Sequence, residues 1–203
     1  MLRQFQILSV AAAISLSAGA LWAQDATNSQ AEEDASAAGG LSLGEPVGDE
    51  PQVGQTYTIG EYTDWELRCI KAAEGQDPCQ LYQLLVDADG NAVAEFTIFP
   101  LPEGGQAAAG ATVITPLETL LTAQLRISVD GGQARRYPYA FCSQIGCFSR
   151  LGFTAPEIDA FKAGNTATVA ITPAAAPDET VALTLSLAGF TAGFEAVRET
   201  LGN

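Results

Sequence analysis

Apolar and polar residues alternate along several short stretches of the chain. In the stretch 65–69, Trp, Leu and Cys alternate with Glu and Arg, and the same period of two recurs at 94–98, 125–129 and 181–187. Successive side chains of a strand point to opposite faces, so a period of two predicts a strand with one buried and one exposed face. Each stretch is therefore predicted to be a half-buried strand of an antiparallel sheet.

Residues that favour turns separate these stretches, and helical periodicity is limited to two short segments. The helices are predicted from Ala155 to Lys162, which Gly164 would end, and from Ala192 to Thr200. Many short strands without a regular alternation of strands and helices favour an all-β class. The predicted fold is an antiparallel β-sandwich or barrel-like domain with one or two short helices. The predicted turns are Asp89-Gly90, Glu103-Gly104-Gly105, Asp130-Gly131-Gly132 and Pro177-Asp178.

The chain begins with the features of an export signal. Arg3 precedes an apolar run that ends at Leu21, and small residues offer a cleavage site after Ala23 or, alternatively, after Ala20. Residues 1–23 are predicted to be a signal peptide, because the apolar run is short for a membrane-spanning anchor. Two further segments follow. The segment 24–55 is predicted to be a disordered acidic leader, since it is rich in Ala, Gly and Ser and has no Lys or Arg, and the segment 56–203 is the predicted β domain.

Charge and composition narrow the possible functions. Nine Lys and Arg residues against 24 Asp and Glu residues give a formal net charge of −15, which argues against binding to nucleic acid or anionic lipid. The chain has no histidine, which removes Ser-His and Cys-His mechanisms and His-ligated metal sites. Asp87-Ala88-Asp89-Gly90-Asn91 is similar to the start of a calcium loop, but its glycine stands too early, so a hairpin turn is predicted. We predict no catalytic residue, no cofactor-binding residue, no cofactor and no metal ligand.

The four cysteines predict two disulfides, because an even number of cysteines in an exported chain indicates that they are paired. Three connectivities are possible in principle. We favour Cys69–Cys79, which a hairpin would bring together, and Cys142–Cys147, which enclose a short turn. A redox-active dithiol and a zinc site are weaker alternatives, since the short paired spacings typical of both are missing.

One local cluster combines basic and aromatic residues. Arg135, Arg136, Tyr137 and Tyr139 follow one another with only Pro138 between the tyrosines. Arg and Tyr are enriched in protein interfaces, so these four residues are the candidate contact surface. An exposed strand edge is the alternative interpretation of the same residues.

Four motifs follow one another along the chain: Asp64-Trp65-Glu66-Leu67-Arg68-Cys69, Cys79-Gln80-Leu81-Tyr82-Gln83, the run from Pro138 to Phe148 with its two cysteines, and the run from Leu185 to Phe194. Together they resemble the invasion-associated locus B family, over about residues 57–198. The resemblance implies an exported, non-enzymatic protein of Gram-negative bacteria, periplasmic or surface-associated, which in pathogenic members is linked to host-cell invasion. It also implies a structural role for the four cysteines.

Export and the missing catalytic constellation lead to one main hypothesis and two alternatives. The main hypothesis is a periplasmic, secreted or cell-surface accessory protein that binds an unknown envelope or host-surface component, without nucleic acid and without a membrane span after signal cleavage. The first alternative is an envelope-maintenance protein that matters under stress. The second is a hydrolase that uses carboxylates, which would need no histidine.

Overall fold

The computed structural model describes residues 50–202. The predicted signal peptide and residues 24–49 of the predicted leader lie outside this part. Within it, the chain forms strands, two α-helices and one turn of 3-10 helix at Leu121–Ala123. The strands are β1 Thr56–Tyr62, β2 Trp65–Ile70, β3 Cys79–Val86, β4 Ala92–Pro100, β5 Ala109–Thr115, β6 Leu125–Val129, β7 Arg135–Tyr137, β8 Tyr139–Ser143, β9 Gly146–Phe153, β10 Thr166–Ile171 and β11 Val181–Ser186, and the helices are α1 Ala155–Ala163 and α2 Phe190–Thr200.

The strands form two open antiparallel sheets. One sheet has seven strands in the order β1-β2-β3-β4-β5-β9-β8, and the other has four in the order β11-β10-β6-β7. A single buried cluster contains inner-face residues of both sheets, such as Phe96 and Leu183, together with Phe161 of α1 and Phe194 of α2. Neither sheet closes on itself, so the all-β prediction is confirmed in its β-sandwich form.

The period-two stretches are strands, and their apolar sets face the core. Trp65, Leu67 and Cys69 of β2 are each at most 3% exposed, and Glu66 and Arg68 between them are partly exposed. The inward sets of β4, β6 and β11 are also buried, except for Val129 and Val181 at the strand ends, which are partly buried. Trp65 packs edge-on against Phe96 of β4 and also touches Phe190 of α2, with ring centroids 5.9 and 5.5 Å away. The side-chain alternation thus defines the core face of each sheet.

Both predicted helices exist, and the second begins two residues earlier than its periodicity suggests. Gly189, which precedes α2, has φ of 84°, and a Cβ atom at this position would collide with the backbone oxygen of Tyr62. Only glycine adopts this conformation at such close range without strain. The helix can therefore start at Phe190, whose ring is fully buried.

The ordered pairing also starts slightly before the predicted domain boundary at residue 56. The amide of Gly54 donates to the carbonyl oxygen of Lys71 at 2.8 Å, and the amide of Lys71 donates to the carbonyl oxygen of Gln55 at 2.9 Å. These bonds extend the β1–β2 ladder by two residues. Composition alone assigns Gly54 and Gln55 to the leader because neither is apolar.

Candidate functional site

The four residues of the predicted contact surface are divided among different faces. Arg135 and Tyr137 share one side of β7, the terminal strand of the four-stranded sheet, and Arg136 lies on the other side. Tyr139 belongs to β8, the terminal strand of the seven-stranded sheet. The structure therefore brings Arg135 and Tyr137 together and separates them from Arg136.

A groove of about 250 Å³ opens beside Arg135 and Tyr137, between the end of the four-stranded sheet and helix α1. Its apolar wall comes from both sheets and from the helix, and its polar groups lie near Arg135. Tyr137 contributes its ring to this wall and packs edge-on against Phe153, with ring centroids 5.8 Å apart. The groove is lined by Ile127, Ser128, Val129, Gly132, Gln133, Arg135, Tyr137, Phe153, Glu157, Ala160 and Phe161.

Glu157 is held in place by the first turn of α1. Its Oε2 atom accepts hydrogen bonds from the amide and from the hydroxyl of Thr154, at 2.8 and 2.6 Å. Its Oε1 atom lies 3.0 Å from Nε of Arg135 and accepts a long bond from the hydroxyl of Tyr137 at 3.5 Å. A glutamate three residues after an N-cap threonine satisfies a helix-terminal amide, which explains its fixed position. Both carboxylate oxygens are therefore engaged.

Arg135 is the cationic group at the mouth of the groove. Its side chain is 64% exposed, whereas that of Glu157 is 17% exposed. The ion pair uses Nε, and no residue in the described part accepts a hydrogen bond from the two terminal guanidinium nitrogens. These nitrogens remain available to an external anion, and a guanidinium matches a carboxylate with two parallel hydrogen bonds.

The two tyrosines of the cluster are half-buried and act as packing residues with polar ends. Burial, followed by the nearby Glu157 carboxylate, raises the pKa of Tyr137 to about 12. Burial also raises the pKa of Tyr139, whose hydroxyl lies 3.5 Å from Oγ1 of Thr115. Both phenols therefore stay protonated at neutral pH and can donate hydrogen bonds.

The four cysteines lie in two pairs at disulfide distance. Cys69 lies directly opposite Cys79 across β2 and β3, and Cys142 lies directly opposite Cys147 across β8 and β9. In both pairs the Cα atoms are 4.0 Å apart. Each link therefore joins neighbouring strands of the seven-stranded sheet.

Two acidic loop residues, Asp77 and Asp87, accept hydrogen bonds from neighbouring groups of the domain. Asp77 accepts hydrogen bonds from the hydroxyl of Tyr57 at 2.6 Å and from the amide of Ala72 at 2.8 Å, and these bonds hold its pKa below the usual range. Asp87 accepts bonds from the amides of Asp89 and Asn91, so the calcium-like segment is a hairpin turn between β3 and β4. Within residues 50–202, no group of three His, Cys, Asp or Glu side chains could hold a metal ion.

Sequence reasoning does not identify Glu157, Phe153 or Phe161 as members of the site. The spacing from Thr154 to Glu157 is a helix-start signal and could have shown that this glutamate is fixed in position. Nothing in the local sequence indicates that it pairs with Arg135. That contact depends on how α1 packs beside β7, which is a long-range property of the fold.

These features define a class: a β-sandwich domain with two cross-strand cysteine pairs and a small groove at the sheet end. The family model for the Invasion associated locus B (IalB) protein matches residues 65–198. Because this match covers more than half of the chain, the chain belongs to that family, and the resemblance seen in its motifs is confirmed.

A solved structure supports the same fold. The chain is similar to the crystal structure of invasion associated protein B from Bartonella henselae, with a TM-score of 0.59 and 20% sequence identity over 71% of this chain and 98% of that one. No curated protein matches the sequence. In the described residues, no helix has the length and apolar character needed to cross a membrane.

Proposed function

We propose that the protein is exported and acts as a non-enzymatic binding protein of the periplasm or cell surface, with the groove beside Arg135 as its contact site. The partner is an envelope or host-surface component that presents an apolar group next to a carboxylate. The observation that carries this proposal is the pairing of an apolar groove with an arginine whose terminal nitrogens are free. Ligand sites commonly combine an apolar wall with a few polar groups that fix orientation.

Two observations support export. The cysteines form two pairs at disulfide distance, and disulfides persist in oxidising compartments such as the periplasm. Residues 1–23 have the charge and apolar pattern of a cleaved signal. Membership of the IalB family agrees with both observations.

A binding role is favoured over hydrolysis by the state of the only carboxylate that lines the groove. Both oxygens of Glu157 accept hydrogen bonds or ion-pair contacts from the protein itself. A general acid or base must present an oxygen to the substrate. Glu157 instead orients Arg135 and anchors the helix.

The size of the groove sets the size of the group that it can hold. A cavity of about 150 Å³ accommodates benzene, so a groove of about 250 Å³ has room for a phenyl ring with a short chain. With the carboxylate on Arg135, the ring of such a ligand would lie against the part of the groove wall that Phe153 and Phe161 line. The probe that matches these dimensions is 3-phenylpropionate.

Titration of the isotope-labelled mature chain with 3-phenylpropionate, followed by NMR, tests the proposal. We expect saturable shifts in β7 and α1, and at least about tenfold weaker binding of 3-phenyl-1-propanol, which lacks the charge. Arg135→Gln should weaken binding of the acid to the level of the alcohol. Ala160→Leu, which fills the groove from an exposed helix position, should abolish both.

The matched control is Arg150→Gln, which removes one positive charge from an exposed position of β9, away from the groove. It should leave binding of the acid unchanged. Equal weakening by Arg135→Gln and Arg150→Gln, or no saturable shift in β7 and α1, would refute the proposal. A peptide source is separated from a small-molecule source by comparing acetyl-Gly-Phe with its C-terminal amide. Binding of the free acid alone indicates recognition of a peptide carboxyl terminus.

A further inference from the structure

The outer face of the four-stranded sheet carries two arginines directly opposite one another. Arg126 of β6 pairs in register with Arg136 of β7, on the side of the sheet away from Arg135. Directly opposed side chains in an antiparallel pair have Cβ atoms about 5 Å apart, so both guanidinium groups can reach the same small ligand. Like charges in this position destabilise a sheet unless something offsets them.

No carboxylate within the described part forms an ion pair with either of these two arginines. Five of the eight basic residues in 50–202 form ion pairs, and the three that do not are Arg126, Arg136 and Arg150. The chain has 24 acidic residues against nine basic ones, so acidic partners are abundant. Two neighbouring arginines without an acidic partner are therefore unexpected in this chain.

Arg126 also carries an unsatisfied polar atom. Its Nη2 atom donates to the hydroxyl of Thr180 at 2.9 Å, whereas its Nε atom is buried and has no hydrogen-bond partner in the described residues. A buried donor without a partner is costly, and more so when it belongs to a charged group. An anion at the terminal nitrogens of Arg126 would offset part of this cost through its charge, without contacting the buried Nε atom itself.

A shallow depression lies beside Arg126 and is lined by small and hydroxyl-bearing residues. It has a volume of about 270 Å³. Ser128 shares the face of Arg126 two residues along β6, and it lies opposite Thr168 of β10. The lining residues are Arg126, Ser128, Ala134, Thr168, Ala170, Thr180 and Ala182.

We infer that this face binds a tetrahedral oxyanion, a phosphate or sulfate group, between Arg126 and Arg136. Guanidinium groups bind such anions through paired, charge-assisted hydrogen bonds, and the hydroxyls of Ser128 and Thr180 supply further donors at the depression. The ligand is a phosphorylated or sulfated molecule small enough to lie on an open sheet face. This site and the groove beside Arg135 lie on opposite sides of β7, and Ser128 of β6 lines both.

Two carboxylates near the site make a further distinction possible. Asp178 and Glu179 immediately precede Thr180 and are exposed, and neither forms an ion pair with Arg126. Salt screens charges only beyond the Debye length, so a carboxylate next to Thr180 repels an anion bound at Arg126. Glu179→Gln should therefore strengthen anion binding.

The site is tested by NMR titration of the mature chain in low salt with inorganic phosphate, glucose 1-phosphate and glucose. We expect saturable shifts in β6 and β7 with both phosphates and none with glucose. Arg126→Gln and Arg136→Gln should each weaken phosphate binding at least about tenfold, and Arg150→Gln should not. Tighter binding of glucose 1-phosphate than of inorganic phosphate identifies a sugar phosphate as the source, and equal binding identifies the free anion.

Thermal unfolding supplies a second readout that does not depend on a variant of the partly buried Arg126. Phosphate should raise the melting temperature of the native chain and of Arg150→Gln more than that of Arg136→Gln, because a ligand that binds only the folded state adds to the general stabilisation that phosphate gives a protein. Arg136 is exposed, so its variant is expected to fold. Equal phosphate effects on Arg136→Gln and Arg150→Gln, or shifts that do not saturate, would overturn the inference.

Discussion

Removal of the two cysteine links should destabilise the domain to different extents. The sequence separations of the linked residues are 10 for Cys69–Cys79 and 5 for Cys142–Cys147. The loop-closure expression converts these separations into about 2.7 and about 2.1 kcal/mol at 25 °C. The longer loop contributes more because the link removes more freedom from the unfolded chain.

Burial widens the difference between the pairs. Cys69 and Cys79 are both buried, whereas in the second pair Cys147 is buried and Cys142 is exposed. Replacing a buried cysteine by alanine removes its sulfur atom. Each such loss of apolar burial adds roughly 1 kcal/mol to the destabilisation. Replacing each pair by alanine should thus lower the free energy of unfolding by roughly 5 kcal/mol for the first pair and roughly 3 kcal/mol for the second.

Urea unfolding of the chain without residues 1–23 measures both losses. Trp65 is then the only tryptophan, and its buried position beside Phe96 makes its fluorescence a reporter of the core. The dependence of the unfolding free energy on urea should become steeper in both variants, because an unlinked chain exposes more surface when it unfolds. A larger loss for the second pair, or losses below about 0.5 kcal/mol for both, would contradict the reasoning.

Three further variants test local features of the fold. Gly189→Ala should cost about 2 kcal/mol or more, because it combines a left-handed backbone with a backbone collision, whereas Gly104→Ala, in open space at φ of 96°, should cost only about 1 kcal/mol; a thermal melt of both compares them. Glu157→Ala should lower the free energy of unfolding by about 2 kcal/mol in urea, and the exposed Asp159→Ala on the same helix by less than about 0.5 kcal/mol. Asp77 has a folded-state pKa below its unfolded value, so its contribution to stability is present above about pH 4 and is lost as the pH falls through the folded value. Asp77→Asn should therefore reduce the loss of stability in acid, measured by urea unfolding at several pH values. An unchanged dependence of stability on pH would refute the assignment.

The sequence predicts the inward face of each strand well, because burial follows side-chain alternation directly. The run that contains Trp65 and the run that contains Phe96 both have their predicted sides in the core. The order of strands is a different matter. β5 pairs with β9, far along the chain, and no local pattern specifies a partner at such a distance. The pattern therefore predicts strands and faces, and packing decides the sheets.

The candidate site shows the same division. A basic and aromatic cluster is visible in the sequence at 135–139, but alternation within a three-residue strand divides it between two faces. Pro138 then separates Tyr137 from Tyr139, and the two tyrosines belong to different sheets. The groove forms only because α1 packs beside β7, so its wall could not be predicted from residues near Arg135.

The crystal structure of the mature chain grown with 3-phenylpropionate measures the position of the ligand directly. The binding role predicts the carboxylate on the terminal nitrogens of Arg135 and the ring against the groove wall that Phe153 and Phe161 line. A ligand bound elsewhere on the domain, with the groove empty at a saturating concentration, would contradict it.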